Sequence, residues 1–213
     1  MLTTPLPDSF SSAAAEAVFL HYVLLCPEHS LPLHWLNTTE LQWLSGKSAK
    51  RARSFAWSRA LLRHLCVEQL QVLPEQVQIS LPSEAAPELY IKGQRYFCSV
   101  SHSQHVVAVL LSPLQPVGLD IEYICHKRDK QQYALLYPAL LNFCDSNEAF
   151  YQRWTQLEAS LKLKGGQLLT MLAQAEPRLA RQLICWQQQR YQFCVASQQT
   201  ITQLNQLQLQ QLP

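Results

Sequence analysis

The chain has few charged residues, no closely spaced cysteine pair and no long apolar run. Charged side chains make up only 15% of the 213 residues, and the formal net charge is +2. A charge this small does not indicate a nucleic-acid-binding protein. No apolar stretch reaches the roughly 20 residues that a membrane-spanning helix requires. The composition therefore favours a protein that binds neither nucleic acid nor membrane.

The cysteines are odd in number, widely spaced and without a Cys-x-x-Cys motif, which argues against a zinc site and a disulfide framework. They are Cys26, Cys66, Cys98, Cys125, Cys144, Cys185 and Cys194. The pattern predicts reduced, mostly buried thiols. Residues 1–10 contain no Lys or Arg, and Glu16, His21 and Tyr22 interrupt the apolar stretch 13–25, unlike a signal peptide. We therefore expect a cytoplasmic protein.

The apolar content of 48% is sufficient for one large domain or two small ones. In the first half, periodicity predicts a strand at 17–25 and a long helix at 48–72. Two short strands follow, at 77–81 and around Tyr90, and then a hairpin whose strands are 96–101 and 106–111. Pro113 and Pro116 mark a linker. The second half then has a strand, a long helix and another strand, at 118–124, 146–164 and 191–196.

This mixed order of elements predicts an α+β fold and not a doubly wound parallel sheet. We expect an N-terminal subdomain over 1–113 and a C-terminal one over 117–213. Asp145 is the expected N-cap of the second long helix, with Glu148 completing a box-like pair. The glutamine-rich tail, 198–213, allows no assignment.

The first long helix is strongly basic. The window 41–67 has no Asp or Glu and contains six cationic residues, Lys47, Lys50, Arg51, Arg53, Arg59 and Arg63. Such a run is either a solvated helix face or a patch that binds an anionic ligand or an acidic partner.

Asp120 and Glu122 are separated by one residue on a predicted strand, so both carboxylates lie on one face. Adjacent acids repel each other unless a cation or solvent separates them. The pair therefore indicates either a metal site or an ordinary solvated strand face.

The second long helix offers a third acid and a lysine. Its predicted buried stripe consists of apolar residues about one turn apart, Phe150, Trp154, Leu157 and Leu161. Glu158 and Lys162 lie about 40° and about 80° from Trp154, on the other side from Leu157. They could reach a cleft, or they could form an ordinary i,i+4 helix pair.

Three segments occur together in a recognisable order: 97–103 (FCSVSHS), 118–122 (GLDIE) and 154–162 (WTQLEASLK). They resemble the signature segments of the surfactin-type 4′-phosphopantetheinyl transferases, which are a strand ending in Ser-His, a Gly-x-Asp-x-Glu strand and a Trp-x-x-x-Glu-Ala-x-x-Lys helix. The resemblance spans roughly residues 50 to 166 and includes the stretch 59–63 (RALLR) of the basic helix.

The resemblance implies a pseudo-dimeric fold, in which two similar subdomains each have a small antiparallel sheet and one long helix. It implies a monomeric enzyme that moves the phosphopantetheine group of coenzyme A to a serine of an apo acyl or peptidyl carrier protein. Mg²⁺ would be the metal, held by Asp120, Glu122 and Glu158. Glu158 and Lys162 would be the catalytic residues.

The resemblance also implies a coenzyme A site. Its expected residues come from the basic helix and the Ser-His strand, and are Arg51, Arg53, Arg59, Ser99, Val100, Ser101 and His102. His102 matches the histidine that contacts the 3′-phosphate, and Lys162 matches the lysine that neutralises the pyrophosphate.

The sequence departs from the family pattern at three places. Leu157 stands where the helix motif usually has Lys, and residues 85–87 (AAP) stand where Gly-Lys/Arg-Pro is usual. Ser54 occupies a frequently basic position. The missing Lys and Gly-Lys/Arg-Pro leave one alternative to an active transferase, a catalytically silent module that binds coenzyme A or a carrier protein. A second alternative, a structural or interaction protein that uses the basic helix, requires the match of the three segments to be accidental.

Overall fold

The computed structural model describes residues 17–26, 28–82, 87–126, 129–165, 167–210 and 212. It has nine strands in two sheets, with helices on their outer faces. The prediction of an α+β fold is confirmed. None of the helices in these described ranges is both long and apolar enough to cross a bilayer.

The strands follow the chain in order and are β1 (Ala17–Leu24), β2 (Val77–Ile79), β3 (Leu89–Ile91), β4 (Gln94–Ser103), β5 (Val106–Ser112), β6 (Val117–Tyr123), β7 (Gln182–Gln188), β8 (Tyr191–Ser197) and β9 (Gln203–Leu209). The α-helices are α1 (Thr38–Leu44), α2 (Ala49–Leu70), α3 (Lys130–Leu136), α4 (Asn147–Lys164) and α5 (Leu168–Leu172). Three 3₁₀ segments connect them, at Leu33–Trp35, Pro74–Gln76 and Pro138–Phe143. The two long helices and the hairpin agree with the predictions.

The first sheet has the order β2-β3-β4-β5-β1-β9. Strand β9, in the tail that allowed no assignment, pairs parallel with β1, so that Val18 lies opposite Leu204. The first sheet is therefore mixed and six-stranded, and the expectation of a small antiparallel sheet was wrong for this half. The second sheet, β6-β8-β7, is small and antiparallel as expected.

The two sheets pack face to face between the two long helices. Alternate residues of β1 separate the two sides: Phe19 and Val23 belong to the core beneath α2, whereas Leu20 packs towards Ile121 and Phe193 of the second sheet. Because side chains alternate along a strand, a strand buried on both faces is apolar at nearly every position. This accounts for the continuous apolar run of β1.

Helix α4 lies very close to β6. A Cβ added at Gly118 would lie 2.0 Å from the backbone oxygen of Ala159 and 2.9 Å from the amide nitrogen of Leu163. Ala159 is fully buried at this contact. Only glycine allows the helix backbone to approach the strand this closely.

Two local predictions need correction. Helix α4 is capped by Ser146, whose Oγ accepts a hydrogen bond from the amide of Ala149, and not by Asp145. Cys185 and Cys194 lie opposite each other on β7 and β8 and form a disulfide, whereas all seven thiols were expected to be reduced. The nine-residue spacing hides this pairing, because the partners meet only through the register of the two strands.

We expect Gly118→Ala to lower the free energy of unfolding by about 3 kcal/mol, because the added methyl group overlaps the backbone of α4. Chemical denaturation measures the loss. The clash is with a backbone carbonyl, so a second substitution, Ala159→Gly, should not restore stability. Restoration by that double variant would contradict the proposed cause.

Candidate active site

The three acids and the lysine singled out in the sequence lie between β6 and α4. Asp120 is buried, whereas Glu122, Glu158 and Lys162 are half-buried. Glycine at position 118 brings α4 close enough for residues of the two elements to interact. The structure thus brings together the four residues that the strand and helix motifs indicated separately.

Asp120 is the centre of this group. Its Oδ1 accepts hydrogen bonds from Lys162 Nζ at 2.8 Å and from Ser101 Oγ at 3.0 Å. Its Oδ2 is buried and has no hydrogen-bond partner among the described residues. A buried carboxylate oxygen without a partner is costly, and a bound cation would satisfy it.

Glu158 has its pKa raised to about 7, first by burial and then by the negative charge of Asp120, with a smaller contribution from Glu122. Lys162 acts in the opposite direction. One lysine therefore does not compensate three clustered carboxylates, and the group has the chemistry of a site for a hard divalent cation.

The oxygens of the three acids are not yet arranged as a coordination sphere. Among the described residues, a set of three ligand atoms within 4.8 Å of one another occurs elsewhere, at His21, His64 and Glu68. Two ligands of Mg²⁺ lie at most about 4.2 Å apart, since each bond is about 2.1 Å long. A single ion held directly by all three acids therefore requires a change in side-chain conformation.

Three serine hydroxyls on β4 hold β6 in place. Ser99, Ser101 and Ser103 accept hydrogen bonds from the amides of Leu119, Ile121 and Tyr123, at 2.9, 3.2 and 2.9 Å. Strand β6 is an edge strand of its sheet, so these amides would otherwise lack partners.

The same hydroxyls orient the acids. Ser101 donates to Asp120, and Ser103 donates to Glu122 Oε2 at 3.2 Å. The sequence analysis predicted Ser99 and Ser101 as residues of a coenzyme A site and did not include Ser103. The available signal was the alternation of serines in 99–103, which places three hydroxyls on one face of a strand.

On the other face of β4, a pocket of about 380 Å³ opens towards α2. Val100 and His102 form its wall on the strand side, and Arg51 and Arg59 contribute positive charge from the helix. Ser54, the position where a basic residue is frequent in the resembling family, also lines it. The predicted coenzyme residues are thus divided between the two faces of β4.

The arginines of α2 have different surroundings. Arg59 is buried, and its Nη2 donates to the carbonyl of Ser80 at 2.6 Å. The Nε atom of Arg59 lies 3.9 Å from Glu40 Oε1. Arg51 is exposed and lies over the ring of Trp43. Arg53 donates to the carbonyls of Cys26 and His29, at 2.5 and 3.0 Å, and is not among the described residues that line the pocket.

Glu40 was not identified from the sequence. It is almost fully buried, forms a capping box with Asn37, and pairs with Arg63 at 3.1 Å. The N-x-x-E pattern at 37–40 is typical of a helix start, but the pairing of Glu40 with the arginines depends on the packing of α1 against α2. Glu40 therefore fixes two cations of the basic helix internally and leaves Arg51 free of this pairing.

His102 is exposed to the pocket. Desolvation by the pocket wall lowers the pKa of its imidazole, and the positive charge of Lys162 lowers it further. The adjacent residue, Ser101, accepts a hydrogen bond from Lys162 at 3.1 Å, so the pocket and the acidic group lie on opposite faces of one strand.

Besides Ser54, which lines the pocket, the two other departures from the family pattern lie at least partly within the described residues. Leu157 is fully buried in the core formed by α4 with Ala139, Leu140 and Leu172, as the helical wheel predicted. Pro87 lines the pocket, whereas Ala85 and Ala86 lie outside the described residues.

Comparison with known proteins finds two 4′-phosphopantetheinyl transferase relatives. The chain is 31% identical over 120 residues to slr0495 of Synechocystis sp. (strain ATCC 27184 / PCC 6803 / Kazusa), whose name gives that activity provisionally; the match covers 52% of this chain and 49% of the relative. It is 29% identical over 126 residues to the 4′-phosphopantetheinyl transferase HetI of Nostoc sp. (strain PCC 7120 / SAG 25.82 / UTEX 2576), covering 53% and 52%. The chain is thus similar, over about half of its length, to proteins with these names. No family model matches, and the chain spans about half the length of the curated relatives it matches.

We expect Leu157→Lys to lower the free energy of unfolding by at least about 2 kcal/mol, because an unpaired ammonium would enter a filled core. Thermal or chemical denaturation measures the change. Gln152→Lys, at an exposed position of the same helix, is the matched control and should change stability little. Equal stability of the two variants would mean that position 157 faces the cleft.

Proposed function

We propose that the protein transfers the 4′-phosphopantetheine group of coenzyme A to a serine hydroxyl of an apo acyl or peptidyl carrier protein and releases 3′,5′-ADP. The main support is that a cationic pocket and a group of three acids, whose negative charge one lysine does not balance, lie on opposite faces of β4. The cationic pocket suits the phosphates of coenzyme A, and the acidic group suits a divalent cation. The similarity to two 4′-phosphopantetheinyl transferases supports the same chemistry.

The pocket residues would bind the coenzyme. Arg51 and His102 have side chains open to the pocket, and Arg59 adds positive charge from beneath it. Arg53 is bonded to two backbone carbonyls, so we assign it the positioning of the loop after β1. Lys162 would neutralise the pyrophosphate, which requires it to share its charge between Asp120 and the ligand.

Asp120, Glu122 and Glu158 would hold Mg²⁺, which supplies positive charge to the pyrophosphate when it is bound. In the transfer, the serine oxygen forms a bond to the phosphorus of the phosphopantetheine, and the bond to 3′,5′-ADP breaks. The hydroxyl proton goes to Glu158, directly or through water. Such reactions depend mainly on positioning and charge neutralisation.

We also propose a monomeric, cytoplasmic protein with the pseudo-dimeric arrangement of two sheet-and-helix halves, over 1–113 and 117–213. In support, each sheet is covered by one long helix, and the proposed site lies where the sheets meet. Strand β9 belongs to the second range in sequence but pairs with the first sheet, and so ties the two halves together.

We expect transfer to require Mg²⁺ or Mn²⁺ and to stop in excess chelator. Asp120→Asn and Glu158→Ala should each reduce turnover by at least about 10²-fold, the usual scale for removal of one preorganised electrostatic group. The mass increase of an apo carrier protein measures turnover, and Glu148→Ala, at an exposed acid of the same helix, is the control. Full activity in excess EDTA would rule out the metal role. Binding of coenzyme A without transfer would instead identify a silent module.

A second experiment tests the coenzyme site. If His102 contacts the 3′-phosphate, dephospho-coenzyme A should bind the wild type more weakly than coenzyme A does, and His102→Ala should reduce that difference. Calorimetry measures both affinities, with His105→Ala at the neighbouring exposed turn as control. The same discrimination in the wild type and in His102→Ala would assign His102 a structural role.

A further inference from the structure

A second group of ligand-type side chains lies far from the Asp120 cluster in sequence and belongs to different elements. His21 is on the face of β1 that packs against α2, and His64 and Glu68 are on α2 itself. Their i,i+4 spacing places the two helix residues on one side, one turn apart. The packing of β1 against α2 brings the strand histidine to the same point.

The distances within this group leave room for an ion. Glu68 Oε2 lies 3.6 Å from His21 Nε2 and 3.8 Å from His64 Nδ1, and one ligand atom from each residue falls within 4.8 Å of the others. Both separations exceed the usual length of a hydrogen bond. They are close to the roughly 3.3 Å between two ligands of tetrahedral Zn²⁺ with bonds of about 2.0–2.1 Å.

The two histidines are buried, and one ring nitrogen of each has no hydrogen-bond partner among the described residues. His21 is 2% exposed and His64 is 6% exposed. Each has a buried Nδ1 with no hydrogen-bond partner among the described residues, and in His64 this is the atom that faces Glu68. Buried polar atoms without partners are rare and indicate a missing ligand, water or ion.

The packing around the group restricts the imidazole of His64. The ring of Trp35 packs edge-on against His64 at 5.5 Å and limits its rotation.

We propose that His21, His64 and Glu68 form a binding site for one divalent transition-metal ion of the Zn²⁺ type. Two imidazoles and one carboxylate form a ligand set that Zn²⁺ and Co²⁺ accept readily. The Glu68 side chain is 42% exposed, so water can occupy the fourth position and the ion can enter from solvent. Mg²⁺, which prefers oxygen ligands, would not compete effectively here.

A metal at this position would link strand and helix directly. Its ligands come from β1, which lies between β5 and β9 in the first sheet, and from the C-terminal half of α2, whose N-terminal half lines the coenzyme pocket. The ion would therefore stabilise the packing of α2 on the sheet. This site is independent of the proposed transferase activity, and its test requires no turnover.

The test uses the full chain without a histidine tag, freed of metal by chelator and dialysis. Titration with Co²⁺ should produce the visible absorption of a tetrahedral site at one ion per chain, and Zn²⁺ should abolish it. Glu68→Gln should weaken Co²⁺ binding by at least about 10²-fold, because losing a ligand costs no less than losing its supporting contacts. His64→Ala should do the same, and His105→Ala should leave binding unchanged.

Thermal melting provides a second readout that separates lost binding from lost folding. Zn²⁺ should raise the melting temperature of the wild type and of His105→Ala, because a ligand that binds only the folded state stabilises it. It should not raise that of Glu68→Gln, which keeps the size of the side chain but replaces one carboxylate oxygen with an amide nitrogen that cannot bind a cation. Unchanged Co²⁺ binding in Glu68→Gln and His64→Ala, or binding lost only in Asp120→Asn, would overturn the proposal.

Discussion

Three serine hydroxyl groups join the two sheets of this protein. Strand β6 has one edge paired with β8, and its other edge would present unpaired amides inside the molecule. Ser99, Ser101 and Ser103 of β4 accept hydrogen bonds from those amides. Their hydroxyl groups take the place of the backbone carbonyls that a neighbouring strand would offer in an ordinary sheet. The spacing of two residues on both strands keeps all three bonds in register.

The location of the acidic group depends on that joint. The hydroxyl of Ser101 accepts a hydrogen bond from the amide of Ile121 and donates one to Asp120. The hydroxyl of Ser103 donates a hydrogen bond to Glu122. Asp120 and Glu122 are therefore oriented by β4, although one ion held directly by all three acids still requires a change in side-chain conformation. Glycine at 118 lets α4 approach β6 closely, and Lys162 of that helix reaches Asp120.

The arginines of the basic helix differ in burial: some are buried and paired inside the protein, and one is exposed. Glu40 pairs with Arg63 and lies near Arg59, and both arginines also donate to backbone carbonyls. Arg51 remains at the surface beside the pocket. The helix is thus neither a uniformly solvated face nor a uniform anion-binding patch. Its first half contributes Arg51 and Arg59 to the pocket, and its last turns contribute to the histidine cluster with β1.

Much of the local structure followed from the sequence. Periodicity located both long helices, the hairpin and the burial of Leu157, and alternation predicted that Asp120 and Glu122 share a face. These features depend on neighbours within a turn or a strand, where backbone geometry sets the spacing. Two of the motifs also gave the members of the acidic group, because each pair lies within a short segment.

Only the tertiary structure decided what these segments meet. Three contacts join residues that are distant in sequence or carry no local pattern. They are the parallel pairing of β9 with β1, the disulfide between β7 and β8, and the contact of His21 with His64 and Glu68. Burial of Glu40 likewise depends on how α1 lies against α2. Short-range periodicity determines which face of a segment is apolar or charged, but strand register and layer packing determine which other face it touches. The chemistry of each site arises at that contact.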